Sequence, residues 1–389
     1  MLSELKVLEL ASVLAGPSVG QFFAELGAEV IKVENVHTGG DVTRTWRVKE
    51  EKTDDRSSYF CSVNWGKKSI ALDLNSSEGR QIIYQLVKKS DIVIASYKYG
   101  DAEKLGVDYK TLSSLNPKIV YGQITGFGSN NPRVGYDAVI QAEAGFMFMN
   151  GEPGGASLKM PVALMDILAA HHLKEGILLA LLQKNKNGKG DFVEVSLLQS
   201  AIASLANQAS NWLVAGVIPQ KQGSAHPNIA PYGEIFKTND NHEILLAVGS
   251  DRQFKSLCRI LEIPDTNSTP YLTNELRVIN RTGLSFLLER KIECFPLNEL
   301  VTALKDVNIP FGIVKDMEDV FATSEAQPLL IQSDDRMGVR TYVGSNFRRM
   351  DSHFLPPPHL GEHSREILLQ TLEMSTETIK SLLQKGTIQ

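Results

Sequence analysis

Nowhere in its 389 residues is this chain apolar for long enough to cross a bilayer. The greasiest stretch, 161–183, is interrupted by Asp166, two histidines, Lys174 and Glu175, whereas a spanning helix needs about 20 apolar residues in succession. The first ten residues carry a charge every few positions and lack the apolar segment of a secretory signal. Cysteine is scarce. Cys61, Cys258 and Cys294 lie far apart, which excludes a disulfide scaffold and the paired spacing of a zinc site. Unpaired thiols suit a reducing compartment, so a cytoplasmic location is expected. A surplus of one charge is also missing: 40 Lys plus Arg face 45 Asp plus Glu, a net charge of −5. No whole-molecule field therefore attracts nucleic acid or anionic lipid, and neither is expected as a partner. The chain has no G-x-G-x-x-G after its first strand, no G-x-x-x-x-G-K-[ST] loop and no G-x-S-x-G elbow. Dinucleotide, P-loop and serine-hydrolase chemistry are thus not signalled.

What is present is an ordinary globular composition, 42% hydrophobic and 22% charged, on a chain long enough for two domains. Short β-like runs alternate with helical spacing through the first half. Strands are expected at 6–10, 29–33, 69–74, 91–95, 119–124 and 191–196, with helices at 18–26, 77–88, 112–115 and 161–183. Gly16-Pro17 is expected to break the chain before the first helix. Such alternation implies an α/β fold with a parallel sheet, whose ligands bind beyond the carboxyl ends of the strands. From Gly223 onward the pattern changes to a hairpin around Asn239-Asp240-Asn241, followed by helices at 251–261 and 280–292. The expected organisation is a large Rossmann-like domain over 1–200, a small α/β domain over 223–306, and a segment 330–389 that returns to the large domain. A further strand is expected near 340–343.

Asp166 is the residue that most needs an account, because Val162 to Ala170 is otherwise apolar. A carboxylate in such a run must be paired, solvated in a cleft, or capping a helix. One reading is an N-cap whose oxygen accepts helix amides. The other is a partly desolvated carboxylate serving as nucleophile or acid–base group. Arg44, Lys67, Lys68, Lys98, Lys104 and Arg133 lie near expected strand ends, where together they suit the phosphates of a nucleotide-like ligand, although each alone reads as solvated surface. His171 and His172 follow Asp166 but have no third ligand at zinc spacing, and no metal is expected.

Eight segments in order give the chain a family likeness: A-G-P-S-x-G-Q at 15–21, L-G-A-E-V-I-K-V-E at 26–34, G-D-V-T-R at 40–44 and N-W-G-K-K-S-I-A-L-D-L at 64–74, then G-F-G at 126–128, G-Y-D at 135–137, A-P-Y-G at 230–233 and L-G-E-H at 360–363. Together they resemble the family III CoA-transferases, the group of formyl-CoA:oxalate transferase and the carnitine CoA-transferases. The resemblance implies an interlocked homodimer that binds coenzyme A or acyl-CoA as substrate between domains, with no tightly bound cofactor. It also implies a nucleophilic aspartate at Asp166, CoA contacts at Leu14, Ala15, Leu72, Lys98, Lys104 and Tyr136, and transfer through covalent aspartyl intermediates. An ionised carboxylate, with an ordinary pKa of about 3.9, would need no general base for this. The chain departs from the family pattern where lysines stand for arginines at Lys98 and Lys104, losing the planar fork. It also lacks a glycine-run loop, whose place is taken by residues 223–228, the expected cover of the site. Two alternatives follow from the same likeness. An α-methylacyl-CoA racemase would carry G-H-D where Gly135-Tyr136-Asp137 stands, and a non-catalytic CoA-binding protein would not need Asp166.

Overall fold

Six short runs rich in Val, Ile, Leu and Ala form a single parallel sheet: β1 (Lys6–Leu10), β2 (Glu29–Asn35), β3 (Lys67–Leu72), β4 (Ile92–Ala95), β5 (Val120–Thr125) and β6 (Asp191–Ser196). Their order is β3-β2-β1-β4-β5-β6, and every neighbouring pair is parallel. The order reverses between β1 and β4, which makes the loops after these two strands the natural place for a ligand. A computed structural model describes residues 2–264, 270–333, 336–344 and 354–389. The sheet belongs to the first of two compact units, made of Met1–Ala144, Pro161–Leu205 and Gln327–Gln389; the second comprises Gly145–Met160 and Ala206–Ala326.

Parallel strands are buried on both faces, which is why β4 reads as uninterrupted Ile-Val-Ile-Ala with every residue buried. On one face Leu8, Leu10, Ile70 and Val93 meet Ile82, Ile83 and Leu86 of the helix Ser77–Lys88, and Ile379 and Leu382 of the helix Thr376–Gln384. Ser76 starts the first of these helices: its hydroxyl accepts the Gly79 amide at 3.0 Å, and Glu78 complements the dipole in the first turn. The helices Ala15–Glu25 and Leu164–Asn187 pack on each other against the sheet. The expected break at Gly16-Pro17 is corrected: both residues lie inside the first turn of the Ala15–Glu25 helix. Proline is tolerated there because first-turn amides have no partner within the helix. The expected strand at 340–343 is also corrected. Antiparallel pairing joins β10 (Leu330–Ser333) to β11 (Arg336–Val339), and the amides of Thr341 and Tyr342 donate instead to the Glu25 carboxylate at 2.7 and 3.1 Å.

Between the sheet and the Ala15–Glu25 helix lies a cluster of buried charge. Lys32 Nζ sits 3.0 Å from Glu9 Oε1 and 3.0 Å from Asp41 Oδ2, and donates to the Ala11 carbonyl at 2.9 Å; all three side chains are fully buried or nearly so. Lys67 reaches the other oxygen of Glu9 at 2.8 Å. Gly20 makes room for this arrangement, since a Cβ there would stand 1.8 Å from Glu9 Oε2. Burial works against the Lys32 charge, but Asp41, Glu9 and Glu34 outweigh it and hold the ammonium above its usual pKa. Arg44 forms two parallel bonds with Glu34 at 2.8 and 2.7 Å, and Ser69 Oγ donates to the same carboxylate at 2.6 Å.

The second unit has its own sheet and core. β7 (Tyr232–Lys237) and β8 (Glu243–Ala247) form an antiparallel hairpin, and β9 (Phe311–Ile313) adds a third strand beside β8. Asn241 in the connecting turn takes a left-handed φ of 66°, which asparagine tolerates. Phe236, Ile244 and Leu246 pack against Phe254, Leu284, Leu288 and Leu300 from the helices Asp251–Ile260, Arg281–Ile292 and Leu297–Asp306.

Replacing Lys32 with Met leaves Glu9 and Asp41 buried without their common cation, and stability should fall by roughly 3–5 kcal/mol. A urea denaturation midpoint equal to that of the unsubstituted protein would show that the cluster contributes nothing.

Candidate active site

Beyond the carboxyl ends of β1, β4 and β5 the first unit holds a cleft of about 460 Å³. Its walls are the turn from Ser12 to Gly16, the loop from Ser96 to Gly100, and the segment that follows β5 through Tyr136. Two glycines bring that last segment together: a Cβ on Gly126 would stand 2.5 Å from the Cα of Gly135, so the G-F-G and G-Y-D loops touch backbone to backbone. Asp166 lines the same cleft.

The Leu164–Asn187 helix carries Asp166 in its first turn. The N-cap reading is therefore corrected. Ala163 occupies the cap position without a side-chain bond, and the capping acceptor comes from elsewhere in the chain. Asp137, at the start of the helix Asp137–Glu143, accepts the Met165 amide on Oδ1 at 2.8 Å and the Gln141 side-chain amide on Oδ2. Asp137 thus takes the capping role. Among the described residues nothing donates a hydrogen bond to the Asp166 carboxylate, which is 8% exposed and faces the cleft. Burial, and then the like charge of Asp137, push its pKa up to about 7. The reading of a partly desolvated carboxylate with a perturbed pKa thus fits Asp166 better than that of an ordinary, fully ionised one. Asp137 itself was not singled out in the sequence. Its only signal was its place at the end of the G-Y-D segment.

The turn after β1 lines the same cleft. Val13 adopts a left-handed φ of 73°, a conformation rare for a β-branched residue. Its amide donates to both oxygens of Asp41, at 3.2 and 3.3 Å, so the buried cluster holds the turn in place. Leu14 then caps the Ala15–Glu25 helix without a side-chain bond, leaving the first-turn amides free of any capping side chain beside the cleft.

Four of the residues expected to contact CoA line this cleft with Asp166, namely Leu14, Ala15, Lys98 and Tyr136. Leu72 and Lys104 do not. Leu72 is fully buried at the end of β3 and borders an adjoining hollow that shares Ser12, Ser96 and Tyr97 with the cleft. Lys104 is an exposed residue on the short helix Asp101–Leu105, paired with Asp101 at 3.2 Å. Of the other basic candidates, Arg44 and Lys67 are buried within the charge cluster, and Lys68 pairs with Glu29 and Glu366 at 3.2 and 2.9 Å. Arg133 lines the cleft but is held by Glu143 and lies over the Phe127 ring. Lys98 and Lys110 are exposed on the cleft wall, and no described carboxylate pairs with either. One trio of potential metal ligands comes together among the described residues: Asp54, Asp55 and His359. Arg56, Arg336 and Arg44 already pair with those two carboxylates, so the trio reads as an ion-pair knot.

A carboxyl whose pKa rises from about 3.9 in the unfolded chain to about 7 in the fold binds its proton more tightly when folded. Ionising it therefore costs stability, and the cost grows from pH 4 through 7 and is constant above. Asp166→Asn should raise the melting temperature at pH 8, by the equivalent of up to about 4 kcal/mol, and the gain should vanish toward pH 4. A gain of equal size at both pH values would mean that the substitution acts through packing alone.

The CoA-transferase family III model matches residues 2–364. The succinate–glutarate CoA-transferase of Agrobacterium fabrum is 37% identical over 389 aligned positions, covering 96% of each chain. The human succinyl-CoA:glutarate CoA-transferase is 34% identical, covering 100% of this chain and 90% of its own. A crystal structure of a CaiB/BaiF family protein from Brucella suis superposes with a TM-score of 0.81 at 37% identity, over 94% of this chain and 98% of that one. Sequence likeness over nearly the whole length thus meets a parallel sheet with a cleft at its switch point: the chain belongs to CoA-transferase family III, enzymes that pass coenzyme A between an acyl-CoA and a carboxylic acid.

Proposed function

We propose that this protein moves coenzyme A between short dicarboxylic acids, with Asp166 as the covalent relay. The observation that carries the reading is a buried carboxylate with no described hydrogen-bond donor, at a helix start inside the cleft. That the relatives are named for succinate and glutarate supports dicarboxylates as the acids.

Ionised Asp166 attacks the thioester carbonyl carbon; a C–O bond forms, the C–S bond breaks, and the products are an aspartyl mixed anhydride and CoA thiolate. The thiolate then attacks the aspartyl carbonyl, releasing the donor acid and leaving CoA on the protein as a thioester. The acceptor carboxylate attacks that carbonyl, expelling the thiolate and forming a second anhydride. Attack by the thiolate on the acceptor's acyl carbon gives the new acyl-CoA and restores Asp166. Each tetrahedral step places negative charge on an oxygen, and the first turn of the Ala15–Glu25 helix supports such charge with uncapped amides. Burial of Asp166 among apolar helix neighbours such as Met165 and Ala169 limits the access of water to the anhydrides. Lys98 and Lys110, without acid partners on the cleft wall, suit the phosphates of CoA. Coenzyme A enters and leaves as a substrate. A racemase reading needs a base with a near-neutral pKa on each face of the α-carbon, and Tyr136 stands where that family has histidine.

Transfer should depend on Asp166 losing its proton, so the rate should rise with pH through about 7 and then level off. Asp137→Asn keeps an acceptor for the Met165 amide but removes the like charge, and this limb should move to lower pH. Asp166→Ala should abolish transfer and the CoA adduct seen by mass spectrometry on the peptide containing residue 166. Transfer at an undiminished rate in that variant would overturn the mechanism.

A further inference from the structure

A second, more open cavity shares Leu14 with the cleft. Its walls include Leu14, Trp46, Tyr59 and the segment 161–163 that leads into the Asp166 helix, and Arg47 supplies the cationic side chain among its described lining residues. The rings of Trp46 and Tyr59 meet edge to face at 5.1 Å and give the cavity an aromatic side. Its closeness to the reacting centre is evident at Tyr59, whose hydroxyl is held above its usual pKa by burial and then by the charges of Asp166 and Asp137.

Arg47 differs from its neighbours in how its charge is used. Arg44 is neutralised by Glu34, Arg56 by Asp54 and Arg133 by Glu143. The Arg47 guanidinium donates to two backbone carbonyls, that of Thr53 at 3.1 Å and that of Asp54. No described carboxylate lies within ion-pair distance of it. The carbonyls fix the plane of the guanidinium and leave its charge unanswered and further N–H donors unused.

We propose that Arg47 recognises the distal carboxylate of a short dicarboxylic acyl group seated in this second cavity. This rests on the function proposed above and names the residue that selects the acid. With the thioester carbonyl beside Asp166, the methylene chain passes Leu14 and lies against Trp46 and Val162, and its far carboxylate meets the guanidinium. A charged, two-pronged contact of this kind favours arginine over lysine. A monocarboxylate of equal length puts a methyl group in front of a cation instead, and a site built for a polar group discriminates strongly against an analogue that lacks it.

The test compares succinate with butyrate, and glutarate with valerate, as CoA acceptors in the full-length protein. Because Arg47 also staples its own loop, the readout is the ratio of kcat/KM within each matched pair, which a general loss of folded protein leaves unchanged. Arg47→Ala should lower kcat/KM for the dicarboxylates about 10- to 100-fold, the span of a lost hydrogen-bonded charge, and leave the monocarboxylates within about twofold. Arg47→Lys should fall between. Parallel losses on both members of a pair, or an undiminished dicarboxylate rate, would overturn the assignment. An unsubstituted protein that transfers CoA but prefers monocarboxylates would overturn it too, while leaving the transferase reading intact. Failure to transfer CoA to any of the acids would remove both.

Discussion

One buried ammonium sets the geometry on which the cleft depends. Lys32 leaves β2 on the side facing the Ala15–Glu25 helix and is shared between Glu9 and Asp41, and Asp41 in turn holds the amide of Val13. That amide belongs to a residue in a backbone conformation it would not choose alone. The ammonium therefore secures a strained turn through an intermediary carboxylate. The turn in turn directs the helix start at Ala15 toward the cleft. A hydrophobic core of the same volume could stabilise the sheet equally well, because buried ion pairs are no better than well-packed apolar groups for stability alone. What the apolar version would lack is an acceptor for the Val13 amide.

Across the cleft two carboxylates divide one helix terminus. Asp137 takes the capping bond and is stabilised by it, while Asp166, one residue beyond the capped amide, is left with neither amide nor cation. The same proximity that lets Asp137 organise the helix also opposes ionisation of its neighbour. Structure and reactivity are thus coupled through a single pair of side chains.

A central strand such as β4, buried on both faces, leaves an unbroken hydrophobic record and is legible for that reason. The strands Lys6–Leu10 and Asp191–Ser196, interrupted by charge, still form over the same bounds that their β-like runs indicate. The start of the first helix was misread because Gly16-Pro17 is locally ambiguous: proline ends a helix from within and begins one from the first turn. Charge was legible and its partner was not. Arg44, Lys67 and Lys98 look alike in sequence, yet Lys67 meets Glu9 across the sheet and Arg44 folds back on Glu34 from the turn after β2. For the same reason Asp166 stands out against its apolar surroundings, whereas Asp137, which accepts the Met165 amide from the start of another helix 28 positions earlier, does not.

The discomfort of Asp166 has a consequence for the energy of the covalent states. A mixed anhydride is ordinarily far less stable than the carboxylate from which it is made. Here the free carboxylate is the form that the protein tolerates poorly, since its charge sits in an apolar site beside another anion. Under the proposed chemistry, acylation erases that charge. The resting enzyme is thus raised toward its intermediates, the rungs of the reaction are drawn closer to level, and CoA can move in either direction according to which acid is more abundant.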